Sequence, residues 1–197
     1  MEILYSDKNI AVCVKPVGVD SEHNLPTLLS DELGGEFFTI HRLDLNVGGV
    51  MVYARNKAAA AELSKAIQEG SFIKEYYAQV NNTPPQKGDW EDLLFKDKSK
   101  NKVFVVARER KGVKKARLEY TRITADDVSP SLVRIRLHTG RSHQIRVQFA
   151  SRGFPLLGDG KYGAKDNLSA PRLYSCKLTF QLMGKQYSFE STPNWAK

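Results

Sequence analysis

The spacing of apolar and polar positions divides the chain into short strand-like runs and a few helical stretches. Residues 10–14 (Ile-Ala-Val-Cys-Val) are a continuous apolar run closed by Lys15-Pro16-Val17-Gly18, the pattern of a buried strand entering a turn. Residues 20–35 are rich in Ser, Asn, Pro, Asp and Gly, and are expected to form a loop carrying one short helical turn. Residues 50–54 predict a strand. Asn56 then suits the N-cap of a helix over 57–69, with Ala59, Leu63 and Ile67 on one face and Gly70 at the end. A strand over 72–80 follows, so 50–80 reads as a β-α-β unit.

Residues 81–91, punctuated by Asn-Asn, Pro-Pro and Gly, read as a connection. Alternation around 103–106 and 117–120 predicts two strands joined by Lys111-Gly112. Val133, Ile135 and Leu137 alternate with Arg134, Arg136 and His138 in a further strand. A helix over 142–152 should stop at Gly153, with Pro155 just beyond. Strands near 173–181 and 185–191 complete the pattern. Many strands and two helices point to an α+β fold with a mixed, mostly antiparallel central sheet and flanking helices. A length of 197 residues without internal repeat is expected to form a single domain, 1–197.

Composition narrows the class. Apolar residues make up 41% and aromatics 10%, ordinary values for a soluble globular protein. No apolar run approaches the roughly 18 residues that span a bilayer, so no membrane partner is expected. The N-terminus has no basic region leading into an apolar stretch, which argues for a cytoplasmic protein. Cys13 and Cys176 each sit among apolar neighbours and read as buried free thiols in a reducing compartment.

Charge adds a location. The net charge is +8, from 30 Lys and Arg against 22 Asp and Glu. Ten basic residues and two acids fall between Lys96 and Arg117, which leaves the remainder balanced at 20 against 20. A surplus confined to one strip suggests a polyanion-binding groove, and a solvated surface hairpin is the alternative.

Two motifs carry the candidate chemistry. His41-Arg42-Leu43-Asp44 precedes a Val47-Gly48-Gly49 turn, and Thr139-Gly140-Arg141-Ser142-His143-Gln144-Ile145-Arg146 lies far downstream. Together they offer one carboxylate and one obligate cation. Taken alone, Asp44 reads as a turn carboxylate, Arg141 as a cap on the preceding strand, and Tyr76 and Tyr77 as core. His23, His138 and His143 lack metal-type spacing, so no metal site is assigned.

The order of these motifs resembles the RluA-like branch of the pseudouridine synthases. The match includes Lys74-Glu75-Tyr76-Tyr77-Ala78, the run Gly153-Phe154-Pro155-Leu156-Leu157-Gly158-Asp159 with Tyr162-Gly163, residues 173–180, and Ser191-Thr192-Pro193. It covers about residues 8–193. The resemblance implies that Asp44 is catalytic in a cleft along the middle of the sheet, that Arg141 is its charge partner, and that Tyr76 packs on the target uracil. Tyr77, on the opposite strand face, is then a core residue. Arg42 would enter the helix vacated by the extruded nucleotide or bind a phosphate. His41 would be a satisfied structural histidine, and Lys15-Pro16 architectural. Two departures stand out: Val47-Gly48 replaces the family's Thr-Ser, and Gln148 stands where His is frequent.

The reaction that the resemblance implies breaks the C1′–N1 bond, turns the uracil and rejoins it through C5. The substrate supplies both leaving group and acceptor carbon, so no cofactor is required. Asp44 could attack C1′ or abstract a ribose proton. Many relatives carry an N-terminal S4-type RNA-binding domain, and this sequence shows none before its first strand. Docking of rRNA or tRNA is therefore expected to fall to the strip, with Lys98, Lys100, Lys102, Lys114 and Lys115 as candidate contacts, and the protein is expected to be monomeric. The alternative is a catalytically silent RNA-binding protein or RNA chaperone on the same scaffold. A hydrolase would need metal-ligand clusters or phosphate-binding glycine loops that the sequence lacks.

Overall fold

The structure, a computed structural model, describes residues 1–126 and 128–197. Its strands are β1 (Glu2–Ser6), β2 (Ile10–Lys15), β3 (Phe38–Thr39), β4 (Gly48–Ala54), β5 (Ile73–Val80), β6 (Lys87–Asp97), β7 (Lys102–Val106), β8 (Val113–Arg122), β9 (Ser131–Leu137), β10 (Leu173–Leu182) and β11 (Lys185–Glu190). Its helices are α1 (Asn24–Leu33), α2 (Lys57–Glu69) and α3 (Gln144–Ala150), with two short 3-10 turns. The architecture is α+β, with mixed and mostly antiparallel strand pairing. The chain divides into two compact units, Met1–Glu75 with Tyr174–Lys197, and Tyr76–Leu173.

In the first unit the strand order is β1-β2-β4-β10, with β3 also on β4 and β11 on β10. The pairs are antiparallel except β4 with β10. All seven residues of β4 are buried, as suits the centre of a sheet. Val50, Val52 and Ala54 pack with Ile10, Val12 and Leu63 of α2. Asn56 caps α2 as expected, its Oδ1 accepting from Ala59 N–H at 2.9 Å, and Gly70 ends the helix in the left-handed region at φ 77°. The strand, helix and strand expected over 50–80 are present in that order as β4, α2 and β5, and the strand that pairs with β4 in parallel is β10.

One correction is α1, ten residues long where a loop with one turn was expected. Only Leu25 and Leu29, one turn apart, bury its inner face. Its start is held from outside the helix, by the Asp20 carboxylate accepting from Glu22 and His23 N–H at 2.9 and 2.8 Å.

The second unit has the order β5-β9-β8-β6-β7. β6 occupies part of the expected connection 81–91, and it separates β7 from β8. The expected pair of strands is thus three, with β6 antiparallel to both β7 and β8. The helix expected over 142–152 is shorter, seven residues, and packs Val147 against Leu94, Val103 and Ala116.

Candidate active site

Asp44 lies half-buried in the segment between β3 and β4, and its backbone is pinned on either side. Its carbonyl accepts from Val47 N–H at 2.9 Å, closing the turn that enters β4. Before it, the Leu43 carbonyl accepts from Ser21 Oγ at 3.1 Å, and Tyr53 OH in turn donates to Ser21 O at 2.7 Å. After it, the Leu45 carbonyl accepts from Gly18 N–H at 2.9 Å and from Lys15 Nζ at 3.2 Å. Lys15 is fully buried and also donates to the carbonyls of Pro16 and Val19, at 3.0 and 2.7 Å. Burial pushes its pKa down to about 8, opposed by the nearby carboxylates of Asp20 and Asp44. Lys15 thus ties three loop carbonyls beside Asp44, a role that the sequence pattern described only as architectural.

The turn explains both the retained and the altered residues of its motif. Gly49 has φ +123°, and a Cβ there would lie 2.3 Å from the Ser175 carbonyl oxygen of β10. No other residue fits. At Gly48 a Cβ would lie 3.1 Å from the Lys15 carbonyl oxygen and 3.5 Å from Val17 Cγ2, so a serine would crowd β2. Val47 is buried.

Arg42 is exposed and forms an ion pair with Glu22 at 2.7 Å. His41 is buried, and its Nε2 accepts from Val52 N–H at 3.3 Å. Its Nδ1 must then carry the proton, and that atom has no hydrogen-bond partner. The expected satisfied histidine is therefore satisfied at one nitrogen only. Burial, and then the charge of Lys74, lower its pKa to about 3.

Arg141 belongs to the second unit, in an exposed turn between β9 and α3. The neighbours of its motif build that turn. Gln144 Oε1 accepts from Arg141 N–H at 3.0 Å and from Thr139 Oγ1 at 2.8 Å, while Gln144 Nε2 donates to the Arg117 carbonyl at 3.0 Å. Arg141 Nε donates to the Lys115 carbonyl at 2.9 Å, which joins the turn to the basic strip on β8. Further along, Arg146 forks onto Asp159 at 2.6 and 2.8 Å, both residues being buried. Two motifs that looked independent in sequence thus meet in one ion pair.

Tyr76 is also in the second unit, buried on the face of β5 that carries Ala78 and Val80. Tyr77 is half-buried, with the Arg134 guanidinium 5.7 Å from its ring centroid. The expectation that Tyr77 is the core tyrosine is thus reversed in burial. Gln148 donates to Asp92 at 2.7 Å, and Arg152 forks onto the same carboxylate.

Lys98 and Lys100 stand exposed on the turn between β6 and β7, shaped by Asp97 Oδ1 accepting from Ser99 and Lys100 N–H. Lys102 opens β7, and Lys114 and Lys115 lie exposed on β8. Lys115 is 3.3 Å from Glu109. Arg117, at the end of the strip, is taken up by Asp89, Glu91 and Glu119 at 2.8 to 3.8 Å. Asp44 and Arg42 belong to the first unit, and Tyr76, Arg141 and these five lysines to the second. Among the described residues no group of three or more His, Cys, Asp and Glu could hold a metal ion, and no helix is long and apolar enough to cross a membrane.

Comparison with known proteins gives a consistent picture. A family model described as RNA pseudouridylate synthase matches residues 9–151. The dual-specificity RNA pseudouridine synthase RluA of Yersinia pestis is 35% identical over 193 residues, covering 90% of this chain and 91% of its own. An uncharacterized RNA pseudouridine synthase of Aquifex aeolicus is 33% identical, and there the match spans 87% of this chain but 58% of the relative. Among solved structures, human RNA pseudouridylate synthase domain containing 4 superposes with a TM-score of 0.81 at 23% identity, over 98% of this chain and 89% of that one.

Proposed function

Since the chain belongs to the RNA pseudouridylate synthase family and isomerises uridine to pseudouridine in RNA, we propose that Asp44 is its catalytic carboxylate. The observation that supports this role is the pinning of Asp44 from both sides. Leu43 and Leu45 are held by Ser21, Gly18 and Lys15, so the carboxylate between them is presented on a fixed backbone. In the reaction a carboxylate either bonds C1′ as the C1′–N1 bond breaks or takes a ribose proton, and it then serves as base when C5–H is lost.

Arg141 is the cation that serves this carboxylate. Its Nε is occupied by the Lys115 carbonyl, so the two Nη nitrogens form the fork that a carboxylate would meet. Tyr76 is the surface on which the flipped uracil stacks, an interaction worth ~1–3 kcal/mol. Its support is the K-x-Y-x-A motif. Arg42 contacts the RNA next to the extruded nucleotide, leaving Glu22 when it does so. Lys98, Lys100, Lys102, Lys114 and Lys115 dock the phosphate backbone of rRNA or tRNA. The chain acts as one catalytic domain, monomeric and cytoplasmic, with its two buried cysteines reduced.

Tritium release from C5 of labelled uridine in RNA tests the central assignment. Asp44→Asn keeps shape and loses charge, so turnover should vanish while RNA affinity changes little. Turnover within about tenfold of the unaltered protein would remove Asp44 from the mechanism.

A further inference from the structure

The basic strip contains a feature that charge alone does not describe. In β6, Leu94 packs toward α3, as does Val103 of β7. The residues between them in register therefore lie on the opposite face. There Phe95 of β6 stands directly opposite Phe104 of β7 and, on the other side, opposite Val113 of β8. Leu93 stands between Val106 and Lys115 on the same face. Both phenylalanines are half-buried, so their rings keep part of their surface open.

Cations surround this pair. The Arg110 guanidinium lies 4.6 Å from the Phe95 ring centroid, and Lys102 Nζ is 5.8 Å from that of Phe104. The stacked guanidinium extends the aromatic surface as a second plane on which a base can rest. Lys102 and Lys115 share the strand parity of the phenylalanines; Glu109 pairs with Lys115, and Asp89, Glu91 and Glu119, which take up Arg117, lie farther along the same face toward the start of β6. Aromatic rings side by side on adjacent strands, set among lysines and arginines, suit nucleobases that have left a helix and a backbone that carries their phosphates.

We propose that the face formed by Phe95 and Phe104 is a second RNA-binding surface, on which unpaired bases of the substrate stack while the surrounding lysines hold its backbone. This rests on the reading of the strip as the docking surface and adds the kind of RNA it takes: a loop or single-stranded segment rather than a continuous duplex. A duplex would offer phosphates but no open base faces.

The probe is a fluorescein-labelled decauridylate, with binding followed by anisotropy on the full chain across a salt series. Phe95→Leu with Phe104→Leu keeps apolar bulk and removes the rings. This double variant should bind roughly 5- to 100-fold more weakly, with the slope against salt unchanged, because stacking releases no counterions. Phe104→Trp supplies a reporter whose fluorescence should be quenched by the oligonucleotide beyond any change in the unaltered protein. Unchanged affinity with no quenching overturns the proposal. In that case, weakening in a variant with the five lysines neutralised leaves the strip as a phosphate clamp, and no weakening removes that reading too. If the double variant instead turns a sedimenting dimer into a monomer, the face is an interface between copies and the proposal also falls. Should the double variant fail to fold, the tryptophan reporter alone decides.

Discussion

The buried ammonium of Lys15 donates to the Leu45 carbonyl at 3.2 Å, so a charge at the end of β2 holds the residue that follows Asp44. Three carbonyls share this ammonium, and three N–H donors serve them. Deprotonation removes one donor.

Activity should therefore fall as pH rises through about 8, the value to which burial lowers Lys15. Stability should move the other way. With a folded pKa below the usual 10.5, the group penalises the fold while charged, and that penalty is relieved between about pH 8 and 10.5. The check is a pH profile of kcat/KM beside thermal melts. Lys15→Met should be slow at every pH and lack the alkaline limb. A limb that persists unchanged in that variant belongs to another group, the uridine included.

Arg141→Lys keeps the charge and loses the planar fork. A carboxylate left to drift by an ångström costs on the order of 100-fold in rate, and a fall of that size is expected with an unchanged circular dichroism spectrum. Near-normal turnover would reduce Arg141 to its other visible role, holding the Lys115 carbonyl.

Changing Lys98, Lys100, Lys102, Lys114 and Lys115 to glutamine should weaken RNA binding at low salt. Every lysine–phosphate pairing that is removed flattens the slope of log affinity against log salt by ~0.7–0.9. The full set should therefore lower it by up to about 4, somewhat less if Glu109 already offsets Lys115. Melting temperature should hold, and turnover at saturating RNA should recover. An unaltered slope would return these lysines to the status of a solvated surface.

Acid should act through His41. Its folded pKa of about 3 lies below the usual 6.5, so the unfolded chain takes up the proton first and stability is lost as pH falls through that window. The slope is about 1.4 kcal/mol per pH unit. His41→Gln can still accept from Val52 N–H, and its melting temperature should decline less steeply between pH 6.5 and 4. Parallel declines would mean that acid unfolding starts elsewhere.

Elements with a strong local signal were legible in the sequence. The helix with Asn56 before it and Gly70 after it runs over the expected residues, because cap and periodicity agree. α1 was hidden because its start is stabilised by Asp20, upstream of the helix, and because two leucines make a weak stripe. β6 was hidden because its residues alternate among charges, and because its longer pairing is with β8, which lies beyond β7 in the sequence. The motifs identified the candidate residues at the site. Their supports, Lys15 under the Asp44 loop and Gln144 inside the Arg141 turn, act through backbone atoms, which no pattern of side chains reveals.

The Arg146–Asp159 pair constrains how this sequence can drift over generations. Losing either partner alone strands the other as a buried, uncompensated charge, at a cost of about 3–5 kcal/mol, a large part of the 5–15 kcal/mol that typically holds a domain folded. Descendants can therefore explore position 146 or position 159 only by changing both, or after gaining stability elsewhere. Thirteen residues apart in the chain, the two positions are inherited as though they were one.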